Sequence, residues 1–160
     1  MVLKKSLLVF GCFSFLLMAQ NPQGDLALYK AVFEEQVQWE DQVQQRQKLM
    51  PANKVIKGST LIYVNQLVNK SNTIKNDVVI KSPIPFGAAY IRGSSSCEGS
   101  CKMYYSIDDG KTFKTSEELV VVYGTKKRAA KGSEYTHIKF VFSKIPPMSK
   151  IRMVFKAKVK

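Results

Sequence analysis

The chain has few of the residues from which catalytic and metal sites are most often built. Its 160 residues include one histidine, three cysteines, one tryptophan and 12 acidic side chains. No Gly-x-Ser-x-Gly elbow and no glycine-rich phosphate loop occurs. A glycosidase needs two carboxylates across a cleft, and the spacing of the acidic residues indicates no such pair. We therefore expect a protein that is not an enzyme and needs no cofactor or metal ion.

Long apolar runs are also scarce, and the clearest one lies at the N-terminus. Lys4 and Lys5 precede the apolar residues 7–18, and the small residue Ala19 follows. A basic start, a short apolar stretch and a small residue are typical of a secretory signal peptide. We assign residues 1–20 to this signal and expect cleavage near its end.

Two alternatives stay open for this segment. An uncleaved anchor needs about 20 apolar residues to span a bilayer, and residues 6–19 are fewer. A lipid anchor on Cys12 needs a lipobox, which residues 9–12 resemble weakly. With a cleaved signal, the mature chain has no transmembrane segment. We then expect an exported bacterial protein, either periplasmic or secreted and associated with the cell surface.

The two remaining cysteines lie close together. Cys97 and Cys101 flank three small or polar residues, and nearby cysteines in an exported protein tend to pair. A zinc site would need further ligands, and the single His137 lies in a predicted strand. A redox site would have two intervening residues rather than three. A structural disulfide is the prediction.

Residues 21–50 form the first predicted segment of the mature chain. Apolar residues at helical spacing after Asp25 predict an amphipathic helix over residues 25–48, whose second half is rich in glutamine. Such a helix could pack on its own domain. It could also join a protein partner or a second copy of the chain.

The sequence of residues 51–160 instead predicts strands and turns. We predict about seven strands, each rich in β-branched and aromatic residues. The last strand alternates apolar and basic side chains, as expected when one face lies in a core and the other in water. Strands of this number and spacing indicate a mainly β fold, an immunoglobulin-like antiparallel sandwich. The predicted strands are residues 60–65, 77–81, 88–92, 102–107, 118–123, 135–142 and 151–159.

One motif predicts a specific local structure. Residues 105–113 contain Ser-x-Asp-x-Gly-x-Thr-Phe, the pattern called the Asp-box. Asp-Gly is a strong hairpin signal, and the serine and aspartate side chains can bind backbone amides across the turn. Asp-boxes are familiar from sialidase propellers, but this chain is too short for a propeller and lacks its repeats. The hairpin residues are Ser106, Asp108, Asp109, Gly110, Thr112 and Phe113.

The order of motifs over residues 55–160 resembles an immunoglobulin-like repeat domain of bacterial exported and cell-surface proteins. The matching segments are residues 63–65, 83–85, 90–94, 106–113 and 145–147. This resemblance implies a structural or adhesive role and supplies no catalytic residues. Asp109 stands where a second glycine is usual, and the loop 97–101 is an insertion relative to that pattern.

Positive charge is concentrated in the predicted sandwich. The whole chain carries +13; residues 21–50 hold three basic and five acidic groups, whereas residues 51–160 hold 20 basic and seven acidic groups. Most of this charge exceeds what the N-terminal segment can neutralise. It could simply solvate the surface, or it could attract an anionic partner.

The candidate contact surface is a predicted loop between two strands. Its basic residues and neighbouring tyrosines could bind the acidic groups of a glycan or of the envelope surface. Nucleic acid fits the charge, but no exposed aromatic ladder is evident and export argues against it. The predicted ligand-binding residues are Lys126, Lys127, Arg128, Lys131, Tyr123 and Tyr135.

Two functions follow from the sequence. The first is an exported, non-enzymatic binding or adhesion module for anionic glycans, whether sialylated, sulfated or of the lipopolysaccharide type. The alternative is a structural or assembly protein of the periplasm or envelope that acts through protein–protein contacts.

Overall fold

The computed structural model describes residues 24–40, 44–52 and 55–160. The predicted signal peptide and Cys12 lie outside these residues. A short 3-10 helix covers Gly132–Glu134. The strands are β1 (Leu26–Glu40), β2 (Gln44–Pro51), β3 (Thr60–Asn69), β4 (Lys75–Pro83), β5 (Ala88–Tyr90), β6 (Ser96–Cys97), β7 (Lys102–Ser106), β8 (Val120–Tyr123), β9 (Lys126–Ala129), β10 (His137–Ile145) and β11 (Lys150–Val159).

Every strand pairing in the described residues is antiparallel. The larger sheet has the order β2-β1-β3-β11-β5, and β6 also pairs with β11. A second sheet has the order β4-β10-β7, and β8 pairs with β9. The prediction of a mainly β, antiparallel fold is confirmed.

The two larger sheets share one hydrophobic core. Leu67 of β3 and Phe155 of β11 come from the first sheet, and Phe140 of β10 comes from the second; none of them is more than 2% exposed. Asn65 of β3 adds a polar link, because its side-chain amide donates to the Ser82 hydroxyl of β4 at 2.8 Å. This buried hydrogen bond satisfies polar groups that would otherwise oppose burial.

The alternation predicted for the last strand is present in β11. Met153, Phe155 and Ala157 are at most 1% exposed, whereas Arg152 and Lys158 on the opposite face are exposed and Lys156 is half-buried. Successive side chains of a strand point to opposite faces, so this pattern sets which face of β11 meets the core.

The predicted N-terminal helix is wrong. Residues 25–48 contribute two strands instead: β1 pairs with β3 from Leu26 to Glu35, and β2 pairs with β1. The first eight residues of β1 are apolar except for Lys30, so their spacing fits a strand as well as a helix. Pairing with β3 decides between the two, because tertiary context overrides local preference. No α-helix occurs in the described part of the chain.

Four connections cross between the two larger sheets. They join β3 to β4, β4 to β5, β6 to β7 and β10 to β11. As a result β10 and β11 lie in different sheets. In an immunoglobulin domain the last two strands lie in the same sheet. This difference in pairing distinguishes the observed strand order from that arrangement.

Candidate functional site

The Asp-box forms a hydrogen-bonded turn directly after β7. The Ser106 hydroxyl accepts hydrogen bonds from the backbone amides of Asp108 (3.2 Å) and Gly110 (2.9 Å), and it donates to the Asp108 carboxylate (2.6 Å). The same carboxylate accepts from the Thr112 amide at 3.0 Å and from its hydroxyl at 2.6 Å. Asp109 and Gly110 have φ of 58° and 78°, the left-handed values that an Asp-Gly turn accommodates.

The hydrogen bonds also hold Asp108 in its charged form. Donation from the Ser106 hydroxyl, followed by donation from Thr112, lowers the pKa of Asp108 well below its usual value. A carboxylate that accepts several hydrogen bonds is stabilised as an anion. Asp108 is therefore committed to bracing the turn, and it is a poor candidate for an acid–base group.

This commitment predicts a contribution to acid stability. Because the pKa of Asp108 is lower in the folded chain, its contribution is present above the unfolded pKa of about 3.9 and is lost as pH falls below that value. We expect the Asp108→Asn variant to lose less stability than the wild type between about pH 4 and pH 2. Urea unfolding at several pH values measures the difference.

The neighbouring Asp109→Asn variant is the matched control. Among the described residues, the Asp109 side chain accepts no hydrogen bond, so this variant should follow the wild-type pH profile. An Asp108→Asn profile identical to that of Asp109→Asn would contradict the assignment.

The Asp-box turn is fixed to β10 on one side. The Thr136 hydroxyl accepts a hydrogen bond from the Asp109 amide at 3.1 Å, and the Thr136 amide donates to the Ser106 carbonyl at 2.8 Å. A Cβ added to Gly110 would lie 3.4 Å from the imidazole of His137. The turn therefore packs on His137, whose Nδ1 is buried without a partner among the described residues.

Phe113 leaves the Asp-box on the outer face of the β4-β10-β7 sheet. Its half-buried ring lies 4.6 Å from the Lys139 ammonium and 5.4 Å from the Lys81 ammonium. Tyr104 contacts the same lysine, with its ring centre 4.9 Å from the Lys139 ammonium. Phe113 therefore forms part of a surface with two lysines.

Strand register brings these residues together. Lys139 of β10 is directly opposite Lys81 of β4 and Tyr104 of β7. Its neighbours Ile138 and Phe140 are fully buried, so Lys139 points away from the core. We call the set Lys81, Tyr104, Phe113 and Lys139 the lysine–aromatic face. In the part of the chain that the structure describes, neither lysine forms an ion pair with a carboxylate.

A cavity adjoins this face at the end of the sheet. It has a volume of about 350 Å³ and is lined in part by Asp109, Thr136 and His137. Phe86 stands at its rim and is 98% exposed. The Lys160 ammonium lies 5.7 Å from the centre of the Phe86 ring. We call this cavity the end pocket.

The predicted basic loop lies in a different place and in a different form. Lys126, Lys127 and Arg128 belong to strand β9, which pairs with β8, so the prediction of a loop at these residues is wrong. Lys126 and Lys127 are exposed, and so is Lys131 beyond the strand. Tyr123 ends β8 and is 60% exposed.

Arg128 is already neutralised. Its guanidinium donates to both oxygens of Glu134, at 2.6 and 2.7 Å, and stacks over Tyr123 at 5.2 Å. Donation from Arg128 lowers the pKa of Glu134 to about 2, and the same contact raises the pKa of Arg128. The pair therefore stays charged at neutral pH. Arg128 and Tyr123 are less available to a ligand than the sequence suggested.

Tyr135 lies in the core rather than on the surface, although it is also among the residues that line the end pocket. It is 3% exposed and packs against Tyr90 and Tyr105, with ring centres 5.0 and 5.5 Å away. Burial in this cluster raises the pKa of Tyr105 to about 12. The Tyr105 hydroxyl therefore stays neutral, and it shares a 2.6 Å hydrogen bond with Ser95.

The predicted disulfide between Cys97 and Cys101 is present. It closes the loop that follows β6, which pairs with β11. The backbone of Glu98 continues this attachment, since its amide donates to the Arg152 carbonyl at 2.8 Å. The disulfide therefore fixes a loop at the end of the sheet opposite the end pocket, and it lies apart from the lysine–aromatic face.

Several residues of the lysine–aromatic face and of the end pocket could not be identified from the sequence. Lys81, Lys139 and Phe86 were not predicted as site residues. One signal for Lys139 was present, because apolar and polar side chains alternate through β10. No comparable signal placed Lys81 and Tyr104 beside it, since they are neighbours only through strand pairing.

Comparison with known proteins gives no match to a family model, a curated protein or a solved structure. Within the described residues, no helix has the length and apolar character to cross a membrane. The same residues contain no group of three or more histidine, cysteine or acidic side chains arranged to hold a metal ion. The lysine–aromatic face and the end pocket are therefore assessed on their geometry alone.

Proposed function

We propose that this protein is an exported, non-enzymatic module that binds anionic glycans at the lysine–aromatic face. One observation carries the proposal: the Lys139 ammonium lies 4.6 Å from the ring centre of Phe113 and 4.9 Å from that of Tyr104, and Lys139 is directly opposite Lys81. A cation held against aromatic rings combines a charge for an acidic group with an apolar platform for a sugar ring.

The arrangement of charge favours an anionic ligand. Like charges directly opposite each other in a sheet are destabilising, and Lys81 and Lys139 form such a pair. Cation–π contacts offset part of this cost, and an anion bound between the two ammonium groups would offset more. In contrast to Arg128, neither lysine is held by a carboxylate in the described residues.

The chemistry of the face favours an acidic sugar over nucleic acid. Single-stranded nucleic acid is usually bound by a series of aromatic platforms along a basic groove. Here Tyr104 and Phe113 both contact a single lysine, an arrangement suited to one or two sugar rings. A sulfated or carboxylated saccharide needs only a few charges beside an aromatic ring, and it is also the anion expected at a cell surface.

Charge reversal tests the proposal. We expect the double variant Lys81→Glu, Lys139→Glu to bind the sulfated glycan heparin about tenfold or more weakly than the wild type, because each exposed contact contributes up to about 1 kcal/mol and reversal adds repulsion. Binding of the wild type should weaken as salt rises, since exposed charges are screened. Calorimetric titration at two salt concentrations measures both effects.

The control has the same change in net charge on a different strand. Lys126→Glu, Lys127→Glu reverses two exposed lysines of β9 and should leave heparin affinity within about twofold of the wild type. Equal losses in the two double variants would mean that net charge alone governs binding. If only the Lys126→Glu, Lys127→Glu variant loses heparin affinity, the binding site lies at the residues predicted from the sequence.

The immunoglobulin-like form of the domain stays a hypothesis. The two antiparallel sheets with one core support it. The placement of β10 and β11 in different sheets departs from it. Export through residues 1–20 is likewise a proposal, supported by the sequence of that segment alone.

The alternative, an assembly protein, is supported by one edge of the larger sheet. β2 pairs with β1 only from Phe33 onward, so the edge of residues 26–31 has no strand partner in the described part of the chain. An open edge is a template for strand addition. Light scattering of the full chain would reveal such an assembly as a dimer or larger species.

A further inference from the structure

The end pocket presents an aromatic ring that serves no purpose in packing. Phe86 is 98% exposed, more than any other large apolar side chain among the residues whose burial the structure describes. Its backbone is nevertheless fixed: the Ile84 amide donates to the Thr136 carbonyl at 2.8 Å, and the Ala88 amide donates to the Pro85 carbonyl at 2.9 Å. The Lys160 amide also donates to the Gly87 carbonyl at 2.9 Å. The ring is therefore held in water by a bend that is tied to two strands.

A cation is positioned beside this ring. The Lys160 ammonium donates to the carbonyls of Phe86 (3.2 Å) and Ser133 (3.4 Å), and its nitrogen lies 5.7 Å from the Phe86 ring centre. An ammonium group has three donors, so these two contacts leave one for another acceptor. Lys160 forms no ion pair with a carboxylate of the described residues.

The remaining walls suit hydroxyl groups. The Asp109 carboxylate lines the pocket and accepts no hydrogen bond from the described residues, so it can accept from a ligand. Thr136 and His137 lie beside it, and Ile84 contributes an apolar wall. An exposed ring, one cation and one hydroxyl acceptor form a set that matches a sugar carrying a negative group.

The end pocket and the lysine–aromatic face are neighbours. His137 lines the pocket, and Lys139 follows two residues later on the same face of β10. Two residues of a strand span about 6.8 Å, close to the length of one sugar unit. The Asp-box connects them as well, since it supplies Asp109 to the pocket and Phe113 to the face.

We propose that the end pocket is a second sugar subsite, in which Phe86 stacks on one unit of an acidic oligosaccharide and Lys160 binds its anionic group. This inference rests on the proposed function and extends it: the ligand is a chain of several sugars that crosses both surfaces. Longer chains then bind more tightly, because the second contact is made by a ligand that is already held.

The length of the saccharide and the Phe86 side chain can be varied independently. Heparin-derived disaccharide and octasaccharide are titrated into the wild type, Phe86→Ala and Lys160→Ala. We expect the wild type to prefer the octasaccharide by about tenfold or more, and both variants to lose most of that preference, since a stacked ring and an ion pair each contribute about 1 kcal/mol. Affinity for the disaccharide should change by less than about twofold, because it is held at the lysine–aromatic face.

Tyr123→Ala is the matched control, because it removes another exposed aromatic ring, away from the pocket. It should retain the wild-type preference for the octasaccharide. If Phe86→Ala also retains that preference while Lys81→Glu, Lys139→Glu abolishes binding, the second subsite is overturned and the proposed function stands. If the wild type binds neither saccharide, the second subsite and the proposed function are both overturned. A wild-type dimer that Phe86→Ala converts to a monomer would assign the pocket to a second copy of the chain and overturn the inference.

Discussion

Phe140→Ala should lower the free energy of unfolding by about 3–5 kcal/mol, the range measured when a buried phenylalanine is truncated. Phe140 is fully buried in β10, the central strand of the β4-β10-β7 sheet. Its ring belongs to the cluster that both sheets share, so its removal leaves a cavity between them. Urea unfolding followed by tyrosine fluorescence measures the loss. A loss below about 1 kcal/mol would contradict a packed core at this position.

Phe86→Ala deletes the same atoms from a ring that is 98% exposed. We expect its free energy of unfolding to stay within about 0.5 kcal/mol of the wild type, as for other surface substitutions. Comparing the two variants separates packing from ligand binding. Phe140→Ala should lower stability, and Phe86→Ala should affect only binding. A large loss of stability in Phe86→Ala would mean that its ring packs on residues beyond those that the structure describes.

The strands that could be predicted are those with an unambiguous local pattern. In β11 apolar and basic residues alternate except at Val154, and only a strand places Met153, Phe155 and Ala157 on one side. The Asp-box is similar, because Ser106, Asp108 and Thr112 interact within seven residues of chain. Local information is sufficient where the partners are local.

The N-terminal segment shows where local information fails. Leu26, Tyr29 and Phe33 fit a helical spacing, and nothing between them forbids a helix. The deciding interaction is with β3, whose paired residues lie 25 to 43 positions further along the chain. An apolar stretch without strict alternation is ambiguous until its partner is known, and a single sequence does not identify that partner.

The candidate site was missed for a related reason. The sequence correctly indicates an excess of positive charge. However, the basic residues that are clustered in the sequence are not the ones that are available to a ligand in the fold. Arg128 is held by Glu134, whereas Lys81 and Lys139 are 58 residues apart in sequence and directly opposite in the sheet. Strand register creates the lysine–aromatic face, and register depends on non-local pairing.

Asn69→Ala should lower the free energy of unfolding by about 2–4 kcal/mol. It removes several hydrogen bonds made by a buried side chain, and each contributes about 0.5–1.5 kcal/mol. The Asn69 amide donates to the carbonyls of Thr73 (2.8 Å) and Pro146 (2.9 Å). Its carbonyl oxygen accepts from the amide of Ser71 (3.1 Å). A fully buried side chain thus joins the end of β3 to the turn before β4 and to the turn between β10 and β11.

Two further substitutions distinguish the contribution of the Asn69 hydrogen bonds from that of side-chain packing. Asn69→Asp keeps the shape but cannot donate when charged, so at neutral pH it should destabilise the chain at least as much as Asn69→Ala. Asn72→Ala lies in the same turn at an exposed position and should change stability by less than about 0.5 kcal/mol. If Asn69→Asp proves as stable as the wild type, the two donated hydrogen bonds do not hold the turns. Because these turns join strands of different sheets, a loss in both Asn69 variants would show that one polar side chain sets how the sheets meet at this end.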